Sequence, residues 1–132
     1  MFIKNIVAQK PLPVYGKGTN IRDWLYVQDH VRAIDCIFHQ GKPGETYAVG
    51  GQNEISNIDL VHQLISQTDA LLGHPEGTSK KLISFVPDRK GHDFRYAIST
   101  QKIKTELGWE PQANFEIALK ETILWYLNLF KT

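Results

Sequence analysis

The sequence lacks several features that would place a protein in a special class. Its 132 residues include one cysteine, and no apolar run approaches the ~20 residues that cross a bilayer. The N-terminus has neither the apolar segment nor the cleavage site of a signal peptide. The formal net charge is +1 with no cluster of Lys and Arg, so the basic surface of a nucleic-acid-binding protein is also missing. We therefore expect a cytoplasmic protein without membrane or nucleic-acid partners.

The cysteine and the histidines do not indicate a metal or redox site. Cys36 has apolar neighbours such as Ile37 and Phe38, and a single cysteine offers neither a disulfide nor a zinc site. His62 and His74 have no partners at the spacing of metal ligands. We expect a buried Cys36 and no bound metal.

The size and composition fit one ordinary globular domain. A chain of 132 residues can form a single core, but it is too short for a cofactor domain and a substrate domain together. Hydrophobic residues make up 42% and charged residues 22%, which is the balance of a soluble protein. Residues 1–132 are therefore treated as one domain.

Hydrophobic periodicity and turn residues predict a mixed α/β unit that is rich in helices. Residues 2–9 are predicted to be the end of a helix that begins outside the chain. Further helices are predicted over about 28–40, from Ser56 to about 67, over 99–108 and from Asn114 onward. Short strands are predicted at 11–15, 45–49, 82–86 and 95–98. The strands and helices do not alternate as a continuous βαβ pattern.

Two predicted helices carry apolar faces that we expect to lie in the core. For the helix over 28–40 the face comprises Val27, Val31, Ile34, Ile37 and Phe38. For the last helix it comprises Phe115, Leu119, Thr122, Tyr126 and Leu129. Trp109 and Trp125 are predicted to be packing residues rather than a binding platform.

Cations and large aromatic side chains occur in predicted turns rather than on these apolar faces. They are Tyr15, Arg22, Trp24, Arg89 and His92. Arginine presents a planar fork that meets two phosphate oxygens, and an aromatic ring offers a flat face to a base. The combination favours a nucleotide diphosphate as the ligand.

From composition alone, a structural role for these residues is as well supported as a binding role. Arg22 could form an ion pair with Asp23 or Asp29, and Trp24 could belong to the core. Asp29 precedes His30, but its place at a helix start indicates a capping role rather than acid–base chemistry.

Four segments of the chain resemble one enzyme family, in the order in which that family has them. They are residues 10–33 (KPLPVYGKGTNIRDWLYVQDHVRA), 50–57 (GGQNEISN), 88–97 (DRKGHDFRYA) and 107–111 (LGWEP). The pattern is similar to that of the dTDP-glucose 4,6-dehydratases, lyases of the extended short-chain dehydrogenase/reductase superfamily. The resemblance covers essentially the whole chain and corresponds to the last two fifths or so of such an enzyme.

The resemblance implies an α/β fold: a small, helix-rich substrate-binding domain with short strands, the C-terminal part of an extended Rossmann-type sugar-nucleotide enzyme. The N-terminal Rossmann domain of the family binds NAD and is absent from these residues, so no cofactor is expected here. In the family, NAD takes a hydride from sugar C4 of dTDP-glucose, water leaves across C5 and C6, and the hydride returns to C6. The product is dTDP-4-dehydro-6-deoxy-glucose, a precursor of deoxysugars such as rhamnose in surface polysaccharides. Intact members are commonly homodimers.

The resemblance also assigns substrate-binding residues. Pro13, Val14 and Tyr15 are expected at the base, Arg22 at the diphosphate and Asn57 at the nucleotide portion. The loop of Asp88, Arg89, Lys90, Gly91 and His92 is expected at the diphosphate end of the ligand. No catalytic residue is expected, because the chain has neither a Tyr-x-x-x-Lys pair nor the Thr-Asp-Glu set of the elimination.

The chain departs from the family pattern at one position, and two alternative functions stay open. Lys90 stands where the family usually has proline, which leaves its loop less restrained. Gly16 and Gly18 do not have the spacing or the strand-to-helix context of a dinucleotide-binding loop.

A nucleotide-sugar decarboxylase or epimerase is an alternative within the superfamily, although the Arg-Asp-Trp-Leu-Tyr-Val and Gly-His-Asp-x-Arg-Tyr-Ala strings favour the dehydratase. A stand-alone nucleotide-sugar-binding module without turnover is the third possibility.

Overall fold

The computed structural model describes residues 1–130 and contains five α-helices and four short strands within them. In chain order these are α1 Phe2–Val7, β1 Leu12–Tyr15, β2 Ile21–Asp23, α2 Val27–Gln40, β3 Glu54–Ser56, α3 Asn57–Leu71, β4 Ile83–Val86, α4 Gln101–Leu107 and α5 Phe115–Leu129. A 3-10 helix, Thr78–Leu82, leads into β4. The expectation of a helix-rich mixed α/β unit is confirmed.

The strands form two separate pairs rather than one sheet. β1 lies parallel to β4, with Leu12 opposite Ile83 and Tyr15 opposite Val86. β2 lies antiparallel to β3, with Ile21 opposite Ser56. The parallel pair requires a long crossover between its strands, and α2 and α3 lie within that crossover.

The helix ends follow the predicted capping residues. The Ser56 hydroxyl accepts a hydrogen bond from the Asp59 amide at 3.2 Å, and the Asn114 side-chain oxygen accepts one from the Ile117 amide at 3.1 Å. Both contacts satisfy an amide that the first helical turn leaves unpaired. Gly108 ends α4 in the left-handed conformation, with φ of 67°.

Three small clusters of buried side chains hold the elements together. The first joins α1, β1 and α3 through Ile6, Leu12, Val14, Val61 and Ile65. The second joins α1 to α5 through Ile3, Ile123 and Leu127. The third, around Ala33, Ile103 and Trp109, joins α2 to α4, and the half-buried Cys36 packs against it. The predicted packing role of Trp109 is confirmed.

Two of the predicted strands do not form. Residues 45–49 pair with no strand among residues 1–130, although their side chains alternate as a strand would. Residues 95–98 contribute only an isolated bridge between Arg95 and Ile21. The segment predicted at 82–86 is a strand, β4, but Phe85 on it is exposed rather than buried. A strand needs a neighbour for its backbone hydrogen bonds, and alternation alone does not supply one.

The apolar face predicted for α2 points mostly away from the core. Val27, Val31, Ile34 and Phe38 are exposed, Phe38 to 83% of its surface. The buried residues of the helix are Asp29 and Ala33. The prediction that this face lies in the core is therefore wrong for the chain as described, because no element of residues 1–130 covers it.

The inner face of α5 also differs from the prediction. Its buried residues are Ala118, Ile123 and Leu127, whereas Tyr126 and Leu129 of the predicted face are exposed. Trp125, predicted to be a packing residue, is 61% exposed and makes an edge contact with Tyr126. The helix has two apolar sides, and periodicity did not distinguish the covered one from the open one.

Candidate functional site

The pairing of β1 with β4 brings two of the predicted binding segments together. Tyr15 ends β1 beside Val86 of β4, and the Gly16 amide donates a hydrogen bond to the Val86 carbonyl at 2.9 Å. Gly16 has φ of 56°, and a Cβ there would lie 3.1 Å from Asp88 Oδ2. The turn after β1 and the loop after β4 are therefore in close contact.

The loop of residues 88–92 is organised by the Asp88 carboxylate. Asp88 Oδ1 accepts hydrogen bonds from the Arg89 amide at 2.8 Å and from His92 Nδ1 at 2.6 Å. The His92 hydrogen bond is the main reason why the pKa of Asp88 is lowered from its usual value. The His92 side chain is only 5% exposed. Asp88 thus holds the loop in shape, while His92 is buried beneath it.

The Tyr15 ring lies between two side chains of this loop. The Arg89 guanidinium carbon is 5.2 Å from the ring centroid, and the His92 ring meets Tyr15 edge-on at 6.3 Å. Tyr15 remains 45% exposed. A cation beside an exposed aromatic ring is an arrangement that suits a base attached to a phosphate.

Arg22 lies on β2 and is held by backbone carbonyl groups. Its Nη1 donates to the Ile21 carbonyl at 2.6 Å, and its Nη2 donates to the Asp93 carbonyl at 3.0 Å. The guanidinium carbon lies 4.5 Å from the centroid of the Tyr96 ring. Arg22 is therefore fixed in position, and no carboxylate among residues 1–130 pairs with it.

The two carboxylates proposed as alternative partners of Arg22 have other roles. Asp23 accepts hydrogen bonds from the amides of Gly51 at 2.9 Å and Asn53 at 2.8 Å. Asp29 pairs with Arg32 at 2.5 Å. The reading of Arg22 as an ion-pair partner of Asp23 or Asp29 is wrong, and no carboxylate in the described part of the chain occupies its guanidinium donors.

Tyr96 and Asp93, which contact Arg22, are candidate site residues that sequence reasoning missed. The Tyr96 hydroxyl donates to the Asp93 carboxylate, and this hydrogen bond is the main reason why the pKa of Tyr96 is raised. The Arg22 guanidinium lies over the Tyr96 ring, whereas the Arg89 guanidinium lies over Tyr15. The available signal was the segment 88–97, but its end was interpreted as a strand.

A pocket of about 320 Å³ opens beside this stack. Its lining residues are Arg22, Asp23, Leu25, Val49, Gly50, Tyr96 and Ile98. Gly50 contributes to the lining, and at the next residue, Gly51, a Cβ would come within 2.1 Å of the Trp24 carbonyl oxygen. Glycine is therefore required where the loop of residues 50–53 crosses the end of β2.

The other predicted site residues differ in what they can offer a ligand. Pro13 and Tyr15 face outward from β1, whereas the Val14 side chain is buried in the core, which leaves only its backbone for a contact. Asn57 begins α3, where its amide donates to the Asn20 carbonyl at 2.9 Å. Lys90 is exposed, and Gly91 turns the loop with φ of 70°.

Trp24 does not join this cluster. Its indole Nε1 donates to the Ile55 carbonyl at 3.3 Å, and its ring lines a separate, mainly apolar groove of about 960 Å³. The walls of the groove come from the start of α2 and from α3 and α5, including Val27, Leu64, Phe115, Leu119 and Tyr126. The open apolar side of α5 therefore faces this groove.

The described residues do not fit a dinucleotide cofactor or a metal. The turn that contains Gly16 and Gly18 leads from β1 into β2 rather than into a helix, so it cannot present a helix N-terminus to a pyrophosphate. Within residues 1–130, no group of His, Cys, Asp and Glu side chains could hold a metal ion. No helix in that range is long and apolar enough to cross a membrane.

Comparison with known proteins identifies the fold and the family. The structure resembles a dTDP-glucose 4,6-dehydratase from Bacillus anthracis, solved in complex with NAD, with a TM-score of 0.80 and 46% identity over 96% of this chain and 38% of that one. A dTDP-glucose 4,6-dehydratase from Streptomyces venezuelae gives a TM-score of 0.83 and 36% identity over 96% of this chain and 37% of that one. Among curated proteins, a probable dTDP-glucose 4,6-dehydratase from Sinorhizobium fredii is 51% identical over 96% of this chain and 36% of its own length.

The fold is thus that of the C-terminal part of Rossmann-type dehydratase and epimerase enzymes. The chain belongs to the family described as GDP-mannose 4,6 dehydratase, whose pattern matches residues 1–122. The resemblance to the dTDP-glucose 4,6-dehydratases is confirmed by relatives of that name at 45–51% identity. The chain spans about a third of the length of the curated relatives it matches.

Proposed function

We propose that this chain is the nucleotide-sugar-binding, C-terminal part of a dTDP-glucose 4,6-dehydratase. In this proposal Arg22 and Arg89 bind the diphosphate, and Pro13, the Val14 backbone and Tyr15 contact the base. The dTDP-glucose 4,6-dehydratase from Streptomyces venezuelae was solved with NAD and TYD bound, and the name shared by the curated relatives supports dTDP-glucose as the ligand of this protein.

The observation that carries the proposal is that two arginines from different elements meet at one loop. Arg89 belongs to the loop after β4 and lies over Tyr15, and Arg22 on β2 donates to the Asp93 carbonyl, directly after that loop. Neither guanidinium forms an ion pair with a carboxylate in the described part of the chain. Unpaired guanidinium groups that converge in this way suit a ligand with two adjacent phosphates.

The remaining predicted residues complete the site around this pair. We assign Asn57 to the nucleotide portion, because it lies next to Asn20 at the start of α3. Asp88 and His92 shape the loop that carries Arg89, and Gly91 allows its turn. Lys90, exposed in the same loop, is free to add a contact to a phosphate oxygen.

The chemistry of the intact enzyme is proposed to depend on a second domain. An N-terminal Rossmann domain would bind NAD, which supplies oxidation and reduction at the sugar, and would provide the residues that remove water across C5 and C6. The residues described here would hold the nucleotide end of the substrate and thereby fix the position of the sugar. We further propose a cytoplasmic homodimer, in which the dimer contact is made largely by the N-terminal domain.

The uncovered apolar surfaces support a role as one part of a larger enzyme. The exposed face of α2 carries Val31 and Phe38, and segment 45–49, which follows that helix, pairs with no strand among residues 1–130. An exposed apolar helix face is the kind of surface that another domain covers on docking. We propose that the N-terminal domain does so.

Activity measurements distinguish the proposal from its alternatives. The full-length protein should convert dTDP-glucose to the 4-keto-6-deoxy product, whereas the 132-residue chain alone should neither form product nor change NADH fluorescence. If the full-length protein instead epimerises or decarboxylates a UDP-sugar, the substrate assignment is wrong. If no longer protein exists and the 132-residue chain binds dTDP without turnover, it is a stand-alone binding module.

A further inference from the structure

We propose that Tyr96 and Asp93 position Arg22 for the diphosphate, Tyr96 through its ring and through its hydroxyl. The inference rests on the proposed function and adds to it two residues outside the predicted site. It follows from two contacts of the Arg22 side chain and from the backbone bonds that join the Tyr96 loop to β2.

The first contact is the stack of the guanidinium on the phenol. The Arg22 guanidinium carbon lies 4.5 Å from the Tyr96 ring centroid, a distance at which the negative face of the ring attracts a cation. Arg22 has a long, flexible side chain, and ordering such a chain on binding reduces affinity. A ring that already restrains it lowers that cost.

Backbone hydrogen bonds attach the loop of Tyr96 to the strand of Arg22. The Tyr96 amide donates to the Ile21 carbonyl at 3.2 Å, and the Ile21 amide donates to the Phe94 carbonyl at 2.8 Å. These bonds fix the Tyr96 backbone relative to β2. The ring is therefore presented to Arg22 from a defined position.

The second contact concerns the Asp93 residue. Its carbonyl accepts from Arg22 Nη2 at 3.0 Å and from Asn20 Nδ2 at 3.2 Å, while its carboxylate accepts from the Tyr96 hydroxyl. A free carboxylate this close to Arg22 could form an ion pair with the guanidinium and compete with phosphate. The Tyr96 hydroxyl donates a hydrogen bond to this carboxylate, so the Arg22 guanidinium stays available to bind phosphate.

The roles of the ring and of the hydroxyl can be separated by substitution. Tyr96→Leu removes the ring and the hydroxyl, and should weaken binding of dTDP about fivefold to twentyfold. Tyr96→Phe keeps the ring and frees the Asp93 carboxylate, so it should weaken binding about twofold to fivefold. Adding Asp93→Asn to Tyr96→Phe removes the competing charge and should restore most of the lost affinity. A purely structural role of the hydroxyl does not predict that rescue.

The experiment is calorimetric titration of the full-length protein and its variants with dTDP and with thymidine. Thymidine, which has no phosphate, should bind equally to all variants. Phe85→Leu is the control, because Phe85 is an exposed aromatic residue on β4 outside the contacts of Arg22 and should leave dTDP affinity unchanged.

The outcomes separate this inference from the proposed function. If the unsubstituted protein does not bind dTDP, the proposed function fails. If it binds dTDP and Tyr96→Leu binds equally well, the ring does not position Arg22 and the inference is wrong. If Tyr96→Leu does not fold, Tyr96→Phe and the double variant still test the inference. Unchanged dTDP affinity in Tyr96→Phe contradicts it. So does a double variant in which Asp93→Asn does not restore dTDP affinity.

Discussion

The buried carboxylate of Asp29, near the start of α2, accepts a hydrogen bond from the Ala113 amide at 3.0 Å, 84 residues further along the chain. It also accepts the Gln112 amide at 3.2 Å and pairs with Arg32 at 2.5 Å. Asp29 thus ties α2 to the segment that leads into α5. The structural role expected for this residue is correct, although the amides it accepts belong to a distant loop rather than to its own helix.

Replacing Asp29 with alanine should therefore destabilise the fold. The substitution leaves two backbone amides and the Arg32 guanidinium without their acceptor, and we expect a loss of roughly 2–3 kcal/mol in the free energy of unfolding. Urea titration followed by circular dichroism measures it. Asp35→Ala, on the solvent side of the same helix, is the control and should change stability by less than about 0.5 kcal/mol. Equal losses of unfolding free energy in both variants would contradict the proposed role of Asp29 in joining α2 to the segment before α5.

Arg22→Lys should weaken phosphate-dependent binding in the full-length protein. Lysine keeps the charge but loses the planar fork, so dTDP and dTDP-glucose should bind with a loss of about 1.5–3 kcal/mol, roughly a tenfold to hundredfold decrease in affinity. Arg22→Ala should be worse, and neither variant should alter binding of thymidine or NAD.

The matched control for Arg22 is Arg95→Lys. Arg95 lies in the neighbouring loop but pairs with Glu54 at 2.6 Å, so its replacement should leave dTDP affinity unchanged. Normal dTDP binding by Arg22→Lys together with a markedly lower melting temperature would make Arg22 a structural residue instead.

The loop of residues 88–92 should lose order in acid. The hydrogen bond from His92 lowers the pKa of Asp88 in the folded protein, so this interaction stabilises the loop above the ordinary carboxyl pKa of about 3.9 and is lost as the pH falls through the lowered value. Carboxyl NMR titration should give Asp88 a pKa below the ordinary range.

Replacing the donor tests the cause of that shift. In His92→Phe the pKa of Asp88 should move back toward the ordinary range, because the largest contribution to its lowering is gone. Glu110, whose pKa is lowered by a hydrogen bond from Lys104 away from this loop, serves as an internal reference and should titrate identically in both proteins. An unchanged Asp88 titration in His92→Phe would assign the shift to another group.

The exposed face of α2 should make the 132-residue chain self-associate. Val31 and Phe38 lie on that face, and contiguous apolar surface of this kind drives association and dye binding. Val31→Lys together with Phe38→Lys should reduce both, as measured by analytical ultracentrifugation and fluorescence of a hydrophobic dye. The control adds the same charges on exposed polar positions, His30→Lys and Gln40→Lys. A monomeric wild-type chain without dye binding would contradict this prediction.

Local sequence signals determined most of the secondary structure. Ser56 and Asn114 begin helices and Gly108 ends one, because a side-chain oxygen or a missing Cβ acts on the nearest turn and needs no distant partner. The extended segment before Gly16 follows from its prolines in the same way. The family and the candidate residues could also be assigned from the sequence, since the matching segments are contiguous.

The tertiary structure alone decided which apolar faces are covered and which residues meet. Phe38 and Trp125 carry the pattern of core residues, yet they are exposed, because burial depends on what packs against a face rather than on its periodicity. Tyr96 belongs to the site only because its loop is bonded to β2 across more than seventy residues of chain. The sequence by itself determined the local elements and their chemistry. Two long-range pairings bring these elements together in one candidate site: β1 with β4, and Ile21 with residues 94–96. No local sequence signal predicts either pairing.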